Sequence, residues 1–307
     1  MKFNSFFSST VLALSTLLFV SCTRQKAALG TAENPIKMYF VPSVDVKVIE
    51  DNTKVLKTYL EANTPYKYEI AIPASFVAVV EAIGTNRADI AAMNSFGYIL
   101  AHERYGAQAK LTVIRYGLPT YQAQFIALAD GPIKTLADIA GKKVAYVDPA
   151  STSGYLLPLK VLKDKGIEPA ETVFAMRHDA VVSMIYQGQV EAGATFYSPP
   201  NEGKIQDARR LVTTQYPDIE KKIKIVELTE SIPNDPIVFR KDLPEEITKS
   251  VIAAFEGFIK TPEGKDAFYT LYGVTDFQLA KDSDYDSIRA MLKASGANAE
   301  DLAKEKK

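Results

Sequence analysis

From Ile36 onward, two hydrophobic periods take turns along the chain. Short apolar or alternating runs predict strands at "IKMYFV" (36–41), "YKYEIAI" (66–72), "ADIAAM" (88–93), "KLTVIRYG" (110–117) and "YQAQFIALA" (121–129). Helical spacing lies between them: from Ser43 to about Asn63, at "FVAVVEAIG" (76–84), and at "FGYILAHERYG" (96–106). Strands alternating with helices predict a parallel sheet with helical crossovers. A second series starts near Leu136. It has strands at "KKVAYV", "ETVFAM" and "VEAGATF", with helices over 153–165 and at "DAVVSMIYQG".

The two series echo one another. Residues 79–95, "VVEAIGTNRADIAAMNS", align without a gap on 181–197, "VVSMIYQGQVEAGATFY". Val-Val, an Ile and an Ala coincide, and Asp89 falls on Glu191. After about 230, "IVFRKDL" leads into two helical segments. Pro244 and Pro262 stand where first turns tolerate proline. These segments have no sheet of their own, so they are expected to pack on the first series. The predicted fold is α/β with two lobes, each a mainly parallel sheet flanked by helices. Lobe I takes 36–130 plus 233–307 and lobe II takes 131–232. The chain crosses between them near Asp130 and again near Ser231–Asp235. Ligands of such folds sit in the cleft at the C-terminal ends of strands, and two crossings make a hinge.

Composition changes this picture little. The 307 residues carry a formal net charge of -1, which argues against a general nucleic-acid binder. The N-terminus adds something. Lys2, then "VLALSTLLFV", then Ser21 reads as an export signal over 1–21. The only cysteine, Cys22, follows at once, so no intrachain disulfide is available. "LLFVSC" resembles a bacterial lipobox, with Phe19 where Leu is usual. It implies lipidation at Cys22, a polar tether over 22–35, and an exported chain anchored to a bacterial membrane on its periplasmic or outer side.

Catalytic chemistry finds little support. There are two histidines, and no HExxH, Walker A or Gly-x-Ser-x-Gly motif. Carboxylates show no metal-ligand spacing. Neither an enzyme nor a metal or cofactor is expected. One stretch stands out. In "DPASTSGYLLP", Ser151, Thr152 and Ser153 precede Gly154 at the start of a predicted helix, just after a strand. Hydroxyls there can cap the helix, hold an anion, or both. His178, in "MRHDAVV", stands at the next strand-to-helix junction, where it could serve an oxyanion or simply start the helix. Tyr121 lies on the first crossing strand, and Asp235 on the return.

"STSGYLLP", followed by "HDAVVSMIYQGQVEAGA" and "NDPIVFRK", resembles the phosphonate/phosphite/phosphate-type substrate-binding proteins of ABC importers, of the periplasmic-binding type. "FVAVVEAIGTNRADIAAMNSFGYILAHE" and "PTYQAQFIAL" fit the same family upstream. The resemblance implies that Ser151, Thr152 and Ser153 seat the phosphorus oxyanion through neutral dipoles, without Lys or Arg. It also implies that His178 contacts the oxyanion, that Tyr121 lines the cleft, and that Asp235 accepts from a P–OH or a ligand amine. Asn94 and Ser95 are candidates to close over the ligand, with Tyr197 and Phe196 shaping the space. Two positions depart from the aminoalkylphosphonate binders of that family. Ser198 stands where they carry a glutamate for the ammonium, and Phe76 where they carry a tyrosine. Phosphite, phosphate, methylphosphonate or a related small phosphonate is therefore expected. The partners implied are ABC permease subunits, and a monomer is expected. The alternative is a sensory or accessory lipoprotein of the same fold, feeding a signalling partner.

Overall fold

Both predicted series build sheets, and the two sheets have the same plan. The computed structural model describes residues 27–294. The first series runs β1 (Ile36–Phe40), α1 (Val46–Asn63), β2 (Tyr68–Ala71), α2 (Phe76–Gly84), β3 (Ile90–Ala92), α3 (Ser95–Tyr105) and β4 (Gln108–Ile114). The chain then crosses into β5 (Thr120–Leu128). The second series is β6 (Lys143–Tyr146), α4 (Leu157–Asp164), β7 (Glu171–Phe174), α5 (His178–Tyr186), β8 (Ala192–Tyr197), α6 (Ile219–Lys222) and β9 (Ile223–Pro233). The return crossing leads to β10 (Pro236–Phe239), α7 (Glu245–Phe258), α8 (Pro262–Tyr272), β11 (Asp276–Leu279) and α9 (Asp286–Ala294).

Strand order is β11-β4-β10-β3-β1-β2 in one sheet and β7-β6-β8-β5-β9 in the other. Apart from β11, the second order is the first read backwards, with β6, β7, β8, β5 and β9 in the places of β1, β2, β3, β10 and β4. The aligned carboxylates also do the same work. Asp89 Oδ2 accepts the N–H of Lys37, next to the start of β1, at 2.8 Å. Glu191 Oε2 accepts the N–H of Lys143, at the start of β6, at 3.1 Å. Asp89 also pairs with Arg240.

The sheets are mixed, not mainly parallel as the sequence led us to expect. β1 pairs parallel with β2 and β3, and β6 with β7 and β8. Antiparallel pairing comes with the strands that arrive through a crossing, β10, inserted between β3 and β4, and β5, inserted between β8 and β9, and with the edge strand β11 on β4. A strand entering from the other lobe starts where its neighbours end, so it must run the other way. This also moves the first boundary. β5 belongs to the second sheet, and the crossing is the tight turn at 115–119 rather than the stretch near Asp130. There the N–H and C=O of Arg115 and Leu118 bond to one another, with Tyr116 and Gly117 at φ +54° and +76°.

The helices after residue 240 pack on the first sheet as anticipated. Phe255, Phe258, Phe268 and Leu271 join Ile36, Met38, Phe40 and Ile237 in one buried cluster. β9 and β11 are strands that the hydrophobic reading passed over. Residues 27–35 do not run free as a tether. Lys67 donates its N–H to Gly30 O at 2.7 Å, Gly30 sits at φ +90°, and Leu29 packs on the same core. The signal segment and Cys22 lie outside the described residues. Among the described residues, no helix is long and apolar enough to cross a membrane.

Candidate functional site

The Ser151 segment leaves β6 over Asp148. The Asp148 carboxylate accepts the Ala150 N–H at 2.7 Å and also the N–H of Phe76 on the facing lobe, while burial pushes its pKa up. The helix expected over 153–165 starts later than the sequence suggests. A single wide turn spans Thr152–Leu156 before α4 begins. Leu156 N–H donates to Ser151 O at 3.0 Å and Leu157 N–H to Thr152 O, both five residues back. Such π turns inside helices gather at functional sites. Ser151 Oγ accepts the Gly154 N–H at 3.0 Å, so the capping role is real. Gly154 is required by close packing: a Cβ there would lie 2.4 Å from Val147 Cγ2.

A cavity opens against this turn between the two sheets. It encloses about 520 Å³, solvent at its mouth included. Of the residues singled out in the sequence, Ser151, Ser153, His178, Tyr121, Asp235, Phe76 and Asn94 line it. They converge because the ends of β3, β6, β7 and β8 and the starts of β5 and β10 all meet here. Phe196 lines it too, and its ring meets the His178 imidazole edge to face at 4.9 Å.

Four predicted residues lie elsewhere. Thr152 is fully buried, and its hydroxyl bridges the lobes, accepting the Phe96 N–H at 3.1 Å and pairing with Ser95 Oγ at 3.2 Å. Ser95 is committed to that bridge, and neither residue lines the cavity. Tyr197 follows Phe196 on a strand, where successive side chains face opposite ways. Ser198 is buried beyond the strand end and does not reach the cavity wall.

The anion seat was expected to consist of neutral dipoles, yet a guanidinium stands in it. Arg115 pairs with Asp235, Nη2 to Oδ2, at 2.6 Å. It also donates from Nη1 to Asn234 Oδ1 at 3.0 Å and from Nε to Tyr272 O at 2.9 Å, and it lies over the Tyr121 ring at 5.2 Å. The sequence did carry a signal for it: a lone Arg closing the apolar strand "LTVIR", with Asp235 on the other crossing. Ser43, Arg210 and Tyr272 complete the polar lining that the sequence reading missed.

Among the described residues, three buried side-chain atoms of the cavity lining have no partner: His178 Nδ1, Asp235 Oδ1 and Arg210 Nε. Buried polar atoms are rarely left unpaired. Burial, with a smaller contribution from Arg115, pushes the His178 pKa down to about 3, so the imidazole is neutral with one N–H to give. Tyr121, its pKa pushed up by burial, shares its hydroxyl with Ser153. The site therefore offers hydroxyl, imidazole and guanidinium donors around one free carboxylate oxygen, which suits an oxyanion that keeps a proton. Among the described residues, no group of three or more His, Cys, Asp or Glu could hold a metal.

Several bonds join the facing lobes around the cavity. Asn94 Nδ2 donates to Ala150 O at 2.7 Å, and His178 N–H donates to Ser43 O at 3.0 Å.

Known proteins share this fold. The "Phosphate-import protein PhnD" of Mycolicibacterium smegmatis is 30% identical over 206 residues, 61% of this chain and 64% of its own length. The "Phosphonates-binding periplasmic protein" of Escherichia coli K12 is 27% identical over 241 residues, 76% of this chain and 68% of its own. The chain thus spans about two thirds of each relative's length. A binding-protein component of an ABC phosphonate transporter from Pseudomonas aeruginosa shares the fold with a TM-score of 0.73 at 20% identity, covering 83% of this chain and 84% of that one. PhnD1 of Prochlorococcus marinus, solved with methylphosphonate, gives 0.72 at 16% identity, covering 86% of this chain and 98% of that one. Both have the two-lobed fold found here. The family described as "ABC transporter, phosphonate, periplasmic substrate-binding protein" matches residues 38–285, and the chain belongs to it.

Proposed function

We propose that this chain captures a small phosphorus oxyanion (phosphate, phosphite, methylphosphonate or a related phosphonate) in the interlobe cavity and delivers it to the permease of an ABC importer. The observation that carries this reading is the pair of buried, unpartnered atoms, His178 Nδ1 and Asp235 Oδ1, facing one cavity with Ser151 and Ser153. The imidazole and the serine hydroxyls donate to P–O oxygens. Asp235 Oδ1 accepts a proton still held by the ligand, while its Oδ2 is held by Arg115. No covalent step is involved. The lobes close about the two crossings when the anion bridges them, and Cys22 tethers the chain to the membrane by lipid.

The test is a thermal-shift panel on the chain lacking its first 22 residues, with phosphate, phosphite, methylphosphonate, 2-aminoethylphosphonate and sulfate. Ligand at about 100 times its dissociation constant stabilises by about 2.7 kcal/mol. Small phosphorus oxyanions should stabilise. Sulfate, with no proton to give Asp235 at neutral pH, should not. In Ser153→Ala the same anions should bind about 1–3 kcal/mol more weakly. Equal shifts with sulfate, or unchanged affinity in the variant, would refute the seat.

A further inference from the structure

Among the described residues, one cation of the cavity lining has no ion-pair partner. Arg115 is neutralised by Asp235, the only carboxylate lining the cavity among the described residues. Arg210, on the short turn Ala208–Val212, lines the same space beside Leu211. No carboxylate lies within ion-pair distance of it among the described residues. Nη2 donates to Tyr269 O at a long 3.3 Å, the guanidinium rests over the Tyr269 ring at 5.3 Å, and Nε is buried with no acceptor. Burial, and to a smaller degree the like charge of Arg115, push its pKa down.

The neighbouring residue shows how this chain satisfies a structural arginine. Arg209 places Nε and Nη2 on the two oxygens of Asp207 at 3.0 and 2.8 Å, and Nη1 on Ile223 O at 2.9 Å. Arg210 has nothing comparable. A half-buried guanidinium whose buried Nε has no acceptor is incompletely satisfied, and one in a ligand cavity is best satisfied by the ligand. A tail ending in an ammonium would meet a cation here, and the one carboxylate of the lining among the described residues, Asp235, is already paired with Arg115.

Resting on the phosphorus-oxyanion reading, we infer that Arg210 receives a second acidic group of the ligand, so that the cavity selects short phosphonates carrying a carboxylate over those ending in methyl or ammonium. The phosphorus end sits on Ser151, Ser153 and His178, and the tail carboxylate takes the unfilled guanidinium donors.

Calorimetric titrations of the wild type, Arg210→Gln and Arg210→Lys with phosphonoacetate and methylphosphonate test this. The two ligands differ by one carboxylate. The wild type should prefer phosphonoacetate by about tenfold or more, equivalent to about 1.4 kcal/mol. Arg210→Gln should lose that preference, with a loss of affinity at least about fivefold larger for phosphonoacetate than for methylphosphonate, and Arg210→Lys should keep part of it. Circular dichroism confirms that both variants fold. No wild-type preference for phosphonoacetate overturns the inference. So does an equal loss for both ligands in Arg210→Gln, which would mean that Arg210 serves the phosphorus end. In both cases phosphorus oxyanions still bind and the underlying function stands. Failure of every phosphorus oxyanion to bind the wild type instead removes the function and the inference together.

Discussion

His178 gives the most direct test of the site's electrostatics. Its imidazole is buried and neutral, with its pKa pushed down to about 3 by burial and by Arg115. In the unfolded chain it titrates near an ordinary value of about 6.5. As pH falls below that, the unfolded state takes up a proton that the folded state refuses. His178 therefore lowers stability progressively from about pH 6.5 down to about pH 3, where the folded state protonates too. At pH 5 the penalty is about 1.5 units, or about 2 kcal/mol relative to pH 8. His178→Gln keeps a donor and removes the titration. The measurement is urea unfolding of both proteins from pH 8 to pH 5, without ligand. Buried carboxyls such as Asp148 and Asp179 have raised pKa values and tilt the curve the other way, but they are common to both proteins and cancel in the difference. The gap between wild type and variant should shift by about 2 kcal/mol, on the order of 4 °C in Tm, in the variant's favour at low pH. Parallel curves would refute the reasoning, because they would mean the ring is solvated or already paired. A bound oxyanion favours the imidazolium, so saturating ligand should flatten the wild-type dependence.

Two further substitutions probe the turn and the bridge. Gly154→Ala places a methyl 2.4 Å from Val147 Cγ2 and 2.5 Å from Val147 Cβ, and should destabilise by about 1–3 kcal/mol and weaken ligand binding, with partial recovery in the double variant with Val147→Gly, which removes both atoms. Strictly additive effects in denaturant unfolding would rule out the contact as the cause. Thr152→Val removes the hydroxyl that bridges to Ser95 and Phe96, so closure would bury an unpaired N–H. Ligand affinity should fall by about 1–2 kcal/mol, and the ligand-free radius of gyration by X-ray scattering should rise. Unchanged values in both would show that the bridge does not hold the lobes.

The βα series was legible because each of its elements has a clean period. "FVAVVEAIG" is α2 residue for residue, and the Asp89–Glu191 alignment marks a shared hydrogen bond. β9 is hard to read from "IKIVELTESIP" because only Ile223, Thr229 and Ile232 of it are buried, so it carries no continuous apolar run. Strand directions and the first boundary were not legible, since no local period says which sheet a strand joins. The anion seat was visible as hydroxyls at a helix start, and His178 and Asp235 through resemblance. Thr152 shows the limit of that approach. A motif names its residues, but only the wide turn decides which of three hydroxyls faces the cavity and which faces the other lobe. Arg115 escaped because its partner lies 120 positions away.

The charges of this site sit on its axle. Arg115 closes the first connection between the lobes, and Asn234 and Asp235 form the second. The two connections are stitched together, with Asn234 N–H donating to Pro119 O at 3.0 Å and its Nδ2 to Leu118 O at 2.8 Å. In a rotation, displacement grows with distance from the axis. Ser151 and His178 on one side and Asn94 and Phe76 on the other ride the moving arms, while the guanidinium and the carboxylate stay nearly still. On the proposed reading, an arriving anion would meet the same pair of charges whether the jaws are wide or shut. Its charge and its proton would be inspected at the pivot first, and the hydroxyls and imidazole would reach it afterwards, as the arms swing in.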